Sequence, residues 1–382
     1  MTSQVSCARQ LDTVLLKVAS RCNLDCSYCY VYHMGDEAWR DQPKKMSTTV
    51  LEQVADRLAE QLALQGTPFS VVLHGGEPLL LGPAKLEEFC RGLRAALPHP
   101  CGIHLQTNGV LLTDAVIDVL VRHNVGVSVS IDGPQAVHDR FRLDHRAKGS
   151  FDRVRSGIAR LVSRPDARPL LGGVLAVIDP ESDPAEVYAA LKETGAPSLD
   201  VLPRDGHWDQ LPFGKQSPTS IEYGRWLEGL LEVYLADPTP PHVRLLDDMI
   251  RLVLGGRSMK EGVGTADYGI LVIEPDGTVD KNDTLKVAGS GADRFERPWS
   301  VFNHALHEIL GSEEFETYYA QQRPIASACA SCSDLAVCGG GMVAHRWSAQ
   351  RGYDNPTIFC ADQRHVIARV RGLVQTLQIQ AA

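Results

Sequence analysis

Hydrophobic positions along the chain follow two alternating rhythms. Short β-branched runs bounded by Gly, Pro, Asn or Asp alternate with longer segments whose apolar residues recur every three or four positions, the signatures of buried strands and amphipathic helices. The first run, 13–19, is followed by Ser47 and a helix carrying Val50, Leu51, Val54, Leu58 and Leu62. The pairing then repeats as strand 69–73 with helix 83–97, strand 103–107 with helix 113–123, strand 125–131 with helix 151–162, and strand 170–178 with helix 184–194. A sixth strand is predicted at 198–202. Strands and helices alternating at this spacing give a parallel sheet with right-handed crossovers. Six repeats fall short of the eight of a closed barrel, so the expected fold is α/β, a partial (β/α)6 barrel over residues 1–210.

Beyond Leu202 the rhythm lapses. Residues 203–217 are rich in Gly, Pro and charge and read as a linker or active-site loop. Segments 221–235 and 243–254 have helical periodicity, which makes 211–265 a helical connector. Residues 268–280 read as a strand, an Asp-Gly turn and a second strand, a strong hairpin signal. The sequence Asp283-Thr284-Leu285-Lys286 interrupts that pattern, and 299–319 is expected to be mostly helical. Residues 266–382 therefore form an extension with its own hairpin.

Composition narrows the class. The chain has 382 residues, 44% hydrophobic and 22% charged, with a formal net charge of -9. No basic patch large enough to suggest nucleic acid stands out. No run of about 18 apolar residues is present to span a membrane, and residues 1–20 lack the apolar core of a signal peptide. Clustered spacing of the ten cysteines points to metal in a reducing cytoplasm rather than to disulfides. Cys7, Cys90 and Cys101 lie outside the clusters and are expected to be small apolar fillers.

Candidate chemistry concentrates where the first strand ends. Cys22, Cys26 and Cys29 form a C-x3-C-x2-C run with Tyr28 before the last thiol and no fourth cysteine nearby. Structural zinc closes its tetrahedron with four protein ligands, whereas three thiolates on an iron–sulfur cube leave one iron open for a small molecule. In these residues the chain resembles the radical S-adenosylmethionine (SAM) superfamily. The resemblance implies a [4Fe–4S] cluster on Cys22, Cys26 and Cys29, with SAM chelating its open iron. One-electron reduction then splits SAM to methionine and a 5′-deoxyadenosyl radical.

The resemblance also implies SAM contacts at the C-terminal strand ends, where such sheets bind ligands. In His74-Gly75-Gly76-Glu77-Pro78, Gly75 and Gly76 would let backbone approach the ligand and Glu77 would accept from the methionine ammonium. Ser130 is the expected ribose contact, with Asn108 and Asp132 as pocket supports. In His138-Asp139-Arg140-Phe141-Arg142, Arg142 is the expected partner of the SAM carboxylate, since a guanidinium fork meets a carboxylate with two hydrogen bonds; Arg140 is the alternative. Residues 174–178 would line the adenine side.

The second cysteine group is Cys329-x2-Cys332-x5-Cys338, then Gly339-Gly340-Gly341, His345-Arg346 and Cys360. Four thiols close around zinc or a [4Fe–4S] cube alike. Placed after a radical SAM barrel and a hairpin, they resemble the SPASM extension of peptide-modifying enzymes, which implies a cluster. A full extension holds two auxiliary clusters, but the cysteine expected beyond Cys338 is Met342, and no thiol occurs between Gly269 and Ser327. The expectation is therefore two [4Fe–4S] clusters in all, one binding SAM and one auxiliary on Cys329, Cys332, Cys338 and Cys360.

With that auxiliary cluster missing, Asp280 and Asp283 on the hairpin side become candidates to contact substrate or take a proton. His345 and Arg346 either face the same cavity or support the glycine turn. Glu-Pro-Asp-Gly, Asp-Thr-Leu-Lys, Cys-Gly-Gly-Gly and Asp-Asn-Pro together look like maturases of ribosomally made (RiPP) peptides. They are most similar to those forming three-residue cyclophanes, a C–C bond between an aromatic ring and a side-chain β-carbon. Thioether formation, epimerisation and sulfatase-maturing oxidation are the alternatives; a scaffold with purely structural clusters would be the non-enzymatic one. The implied partners are a precursor peptide and a reductant such as flavodoxin or ferredoxin. The cluster loop begins at Cys22, so a peptide leader would use the barrel face, the extension or a separate leader-binding protein.

Overall fold

All six expected barrel strands form, and the two of the expected hairpin and two more join them. The computed structural model describes residues 9–381. In it β1 (Thr13–Ala19), β2 (Ser70–Gly75), β3 (Ile103–Thr107), β4 (Gly126–Ser130), β5 (Leu171–Val177) and β6 (Ser198–Leu202) lie side by side in chain order, all parallel. The helices between them are Thr48–Gln65, Pro83–Ala96, Asp114–Arg122, Phe151–Ser163 and Pro184–Lys192. Their ends follow local chemistry. Ser47 and Thr113 accept from the backbone N–H three residues on, Asp183 caps a helix opening on Pro184, and Gly66 at φ 69° ends the first helix.

Val14, Leu16, Val71, Leu73 and Leu105 from the strands meet Val54, Leu58, Leu86, Phe89, Ile117 and Leu120 from the helices in one continuous core. Cys90 and Cys101 are buried within it, as expected of apolar fillers; Cys7 lies outside the described residues. Among the described residues no helix is long and apolar enough to cross a membrane.

The extension does not stand apart from this sheet. Strand β7 (His242–Val243) lies beside β6, and β8 (Ile270–Ile273) runs parallel to β1, with Leu271 opposite Val14 and Ile273 opposite Leu16. The expected hairpin is present: β9 (Thr278–Asp280) returns antiparallel to β8, through a turn with Gly277 at φ 90°. β10 (Trp299–Ser300) then pairs with β9. The result is one ten-stranded open sheet, edged by β10 and β7, that continues past positions 210 and 265 without a seam.

Two expectations need correction. Only Leu306–Leu310 and Glu313–Ala320 are helical within 299–319. Gly311 ends the first of these and Ser312 caps the second, while Trp299 is drawn into the sheet opposite Val279. Residues 203–217 are irregular but no free linker. Trp208 donates from its backbone N–H to Trp347 O at 3.0 Å and from Nε1 to Pro356 O at 2.7 Å, and Lys215 pairs with Asp362 at 2.6 Å with both side chains buried. Asp362 lies in the first turn of the last helix, Cys360–Ala381, which packs along Glu222–Ala236.

Candidate active site

A cavity of about 320 Å³ opens at the C-terminal ends of β1 to β6. Cys22, Cys26 and Cys29 line one side, and His74, Glu77, Asn108, Ser130 and Arg142 line another. Thr284, Met342 and His345 from the extension, with Asp205 from the loop after β6, complete the wall. The barrel thus brings the three thiols and the expected SAM contacts together, although they are spread over 120 positions of sequence (Cys22 to Arg142).

Gly75 and Gly76 line the cavity, as expected of backbone near a ligand, and they also approach the chain itself closely. A Cβ on Gly75 would lie 2.0 Å from Ala19 O, and one on Gly76 would lie 2.1 Å from Tyr32 Oη and 2.4 Å from Arg21 C and O. Both glycines therefore let β2 seat the cysteine loop. Gly76 N–H also donates to Ala19 O, and Glu77 N–H to Arg21 O.

Glu77 also has a structural role. Its carboxylate accepts from Leu79 N–H at 3.0 Å, Thr107 Oγ1 at 2.7 Å and Asn108 N–H at 2.8 Å. It thereby ties the ends of β2 and β3 while lining the cavity, with acceptor capacity left on Oε2. Burial raises its pKa, partly offset by these hydrogen bonds.

Asn108 donates to Asn23 Oδ1 at 2.8 Å and its Nδ2 lies 3.7 Å from Cys22 Sγ, bracing the loop from β3. Ser130 accepts from Gln106 Nε2 at 2.9 Å, leaving both polar groups on the cavity wall. Asp132 is buried, accepting from Tyr28 Oη and from Val177 N–H.

Arg142 is the buried member of the arginine pair. Its Nη1 donates to Tyr28 Oη at 2.6 Å and lies 3.9 Å from Asp132, yet its Nε has no partner. A buried guanidinium with an unused donor fits an incoming carboxylate. Arg140, the alternative, points outward to Asp179 and Glu181. The buried, unpartnered Nδ1 of His74 is a second unused group on this wall.

The thiols fit a metal cluster. Burial pushes the Cys22 thiol up to about 12 and the Cys29 thiol up to about 11, so thiolates here require a cationic partner. The second group also converges: Cys329, Cys332, Cys338 and Cys360 line one small void with Gly340, Pro356 and Thr357. Four thiols converging on one void can close around zinc or a [4Fe–4S] cube alike.

The Gly339-Gly340-Gly341 turn beside this void requires glycine. All three have positive φ, and a Cβ on Gly339 would lie 1.8 Å from Gly264 O. Met342 follows, lining both the main cavity and a minor void it shares with Glu261. Both Glu261 oxygens accept from Asn282 Nδ2 at 3.0 Å. A carboxylate–amide pair therefore stands beside the position where a further thiol is missing.

The two hairpin carboxylates do not meet at the main cavity. Asp283 is buried, accepting from Tyr30 Oη at 3.0 Å and pairing with Lys17 at 3.2 Å. Burial pushes it up, but Lys17, His74 and the Tyr30 hydrogen bond together hold it below the usual carboxylate range. Asp280 lines a different cavity of about 380 Å³ with Lys17, Glu274 and Lys286. There burial, then the neighbouring Asp293 and Glu274, push it up to about 7. At the main cavity their place is taken by His345, whose Nε2 is 2.9 Å from Asp205 Oδ1. Arg346 is buried and donates to Gln321 O and Gln322 O, a support for the chain rather than a cavity group. Asp205 carried no signal in the sequence beyond its place after the sixth strand.

The Radical SAM superfamily model matches residues 16–171, the stretch that holds the three thiols, Glu77, Asn108, Ser130 and Arg142. Residues 16–171 are a radical SAM domain. A radical SAM domain implies a [4Fe–4S] cluster and SAM, and the cavity just described has the thiols and polar groups to hold them.

Two curated relatives span nearly the whole chain. The cysteine-type anaerobic sulfatase-maturating enzyme of Clostridium novyi is 23% identical over 370 residues, 92% of this chain and 93% of the relative. The serine-type enzyme of Bacteroides thetaiotaomicron is 26% identical over 381 residues, 91% of this chain and 86% of its own. Among solved structures, native anSMEcpe with bound AdoMet (SAM) superposes with a TM-score of 0.79 at 21% identity, covering 96% of this chain and 99% of that one. Streptococcus suis SuiB bound to the precursor peptide SuiA gives 0.61 at 12% identity, covering 88% and 73%. These likenesses place the radical SAM domain and its extension in one shared fold.

Proposed function

We propose that the protein is a radical SAM oxidoreductase that removes two hydrogens from a side chain of a peptide or protein substrate. The observation that carries this is the cavity where three thiols and a buried, incompletely paired Arg142 face the Asp205–His345 pair. A reduced cluster with SAM, once bound to Cys22, Cys26 and Cys29, supplies a 5′-deoxyadenosyl radical able to take a hydrogen atom from an unactivated carbon. The remaining tasks fall to the polypeptide. Arg142 holds the SAM carboxylate through its unused Nε, and Ser130, Gln106 and Asn108 offer hydrogen bonds to ribose hydroxyls. Cys329, Cys332, Cys338 and Cys360 hold a closed auxiliary [4Fe–4S] cluster as electron acceptor. The Asp205–His345 pair takes the proton the substrate loses on oxidation, in place of Asp280 and Asp283.

The sulfatase-maturating relatives favour oxidation of a Ser or Cys side chain at its β-carbon to an aldehyde-level product. One feature favours a second reading, cyclophane formation in a precursor peptide: Met342 and the thiol-free stretch 269–327 leave a single auxiliary thiol set. Ser oxidation and cyclophane formation each remove two hydrogens, whereas Cys oxidation removes two hydrogens to a thioaldehyde that water then converts to the aldehyde with loss of hydrogen sulfide; tandem mass spectrometry separates the products. Anaerobic assays with Ser- or Cys-bearing sulfatase-motif peptides and with short peptides encoded beside the gene are expected to give 5′-deoxyadenosine and the corresponding mass change. A trappable carbonyl marks the first product, and missing fragments inside a ring mark the second. An unchanged mass with deuterium gained from heavy water would indicate epimerisation and overturn both.

A further inference from the structure

We propose that Arg204, two residues beyond β6, is a positioning residue for SAM: its guanidinium fixes the Tyr28 ring, and Tyr28 in turn aims Arg142 at the SAM carboxylate. This rests on the reading of Arg142 given above and adds a residue to it. Arg204 is buried, yet its Nε and Nη2 have no hydrogen-bond partner. The carboxylate that feels its charge most directly is Asp132, which already lies 3.9 Å from Arg142. A cation buried with idle donors is costly, so its surroundings must offset that cost.

The offset is aromatic. Arg204 Cζ lies 4.1 Å from the centre of the Phe141 ring and 5.0 Å from the centres of both Tyr28 and Phe213, within the range at which a ring face attracts a cation. Arg140 Cζ is also 5.0 Å from the Phe141 and Phe213 rings. Two guanidinia and two phenyl rings therefore clamp the loop after β6 onto the end of the helix Gln135–Phe141.

Tyr28 carries the effect into the site. While Arg204 lies against its ring, its hydroxyl accepts from Arg142 Nη1 at 2.6 Å and donates to Asp132 Oδ2. These two bonds hold the Arg142 fork from one side and leave its Nε unpartnered. Tyr28, Arg142, Pro203 and Asp205 all line the main cavity, whereas Arg204 is not part of its wall. Arg204 thus acts on the cavity through Tyr28, and the loop that lends Asp205 to the site also fixes the orientation of the SAM-facing guanidinium.

The test measures equilibrium binding of SAM and of decarboxylated SAM to the iron-reconstituted full chain and its variants. R204M is expected to weaken SAM binding by about five- to tenfold, roughly the worth of one desolvated cation–π contact, with decarboxylated SAM bound as before and iron content unchanged. R204K keeps the charge and loses the planar face, so a smaller loss of the same selective kind is expected; it serves where R204M does not fold. Y28F should also weaken SAM alone, and R204M should have no further effect in the Y28F background, because both act through one hydroxyl. Equal losses for SAM and decarboxylated SAM, or losses that add in the double variant, would overturn the proposal. SAM binding left intact by R142M would instead sink the reading of Arg142 on which it rests.

Discussion

At Gly76 the cysteine loop has no slack. A methyl group there would meet Tyr32 Oη and the Arg21 carbonyl at well under contact distance, so G76A is expected to unseat the loop, remove about four irons per chain and abolish 5′-deoxyadenosine formation. Arg142 offers a gentler test. R142K keeps the charge and loses the planar fork, so SAM affinity measured by equilibrium binding should weaken by about tenfold or more with circular dichroism unchanged. Glu261 makes a pH prediction. Burial, only partly opposed by its hydrogen bonds from Asn282, raises its carboxyl from 4.5 to about 7. The folded state then holds that proton more tightly than the unfolded one, and stability from this group is lost as pH rises through about 7. E261Q should therefore melt about 2–4 °C above the unaltered protein at pH 8, with the gap closing near pH 5.

At the scale of elements, the final helix is pinned at its start. Asp362 accepts from Lys215 Nζ and from Gly224 N–H, a buried ion pair that joins the loop after β6 to the helix beginning at Cys360. D362N would leave Lys215 buried and unpaired, a cost of about 3–5 kcal/mol. It should also loosen Cys360, giving less iron at the four-thiol site while dithionite-driven SAM cleavage by the first cluster persists. The barrel's strands and helices were readable because each buries its own apolar face at its own period. Segment 299–319 misleads for the same reason: its apolar spacing suggests one helix, yet Gly311-Ser312 divides it and a cross-strand partner claims Trp299. Nor could the run Ile270–Ile273 announce its neighbour. Its side chains would suit many apolar strand edges, and only the folded sheet selects β1.

For the whole molecule, the extension covers the β1 edge of the barrel through β8 and supplies Thr284, Met342 and His345 to the cavity. A fragment ending at residue 265 would bare that edge, and aggregation instead of a cooperative melt is expected on light scattering. Iron analysis after anaerobic reconstitution should give about eight irons per full chain, in two cubes; about twelve would contradict a single auxiliary site.

What the sequence determined alone was the chemistry each segment can perform. Thiol spacing, the glycine-rich strand end and a guanidinium near the fourth strand depend on residue type and on short separations along the chain, and these survive without a fold. Tertiary structure decided which groups face each other. It made Gly75, Gly76 and Glu77 supports of the cysteine loop as well as cavity wall and placed Asp280 on a second cavity. It also brought Asp205 within hydrogen-bonding distance of His345, 140 positions away. Such pairings follow from the packing of the ten-stranded sheet against its helices, where every side chain competes with its neighbours for space and hydrogen bonds.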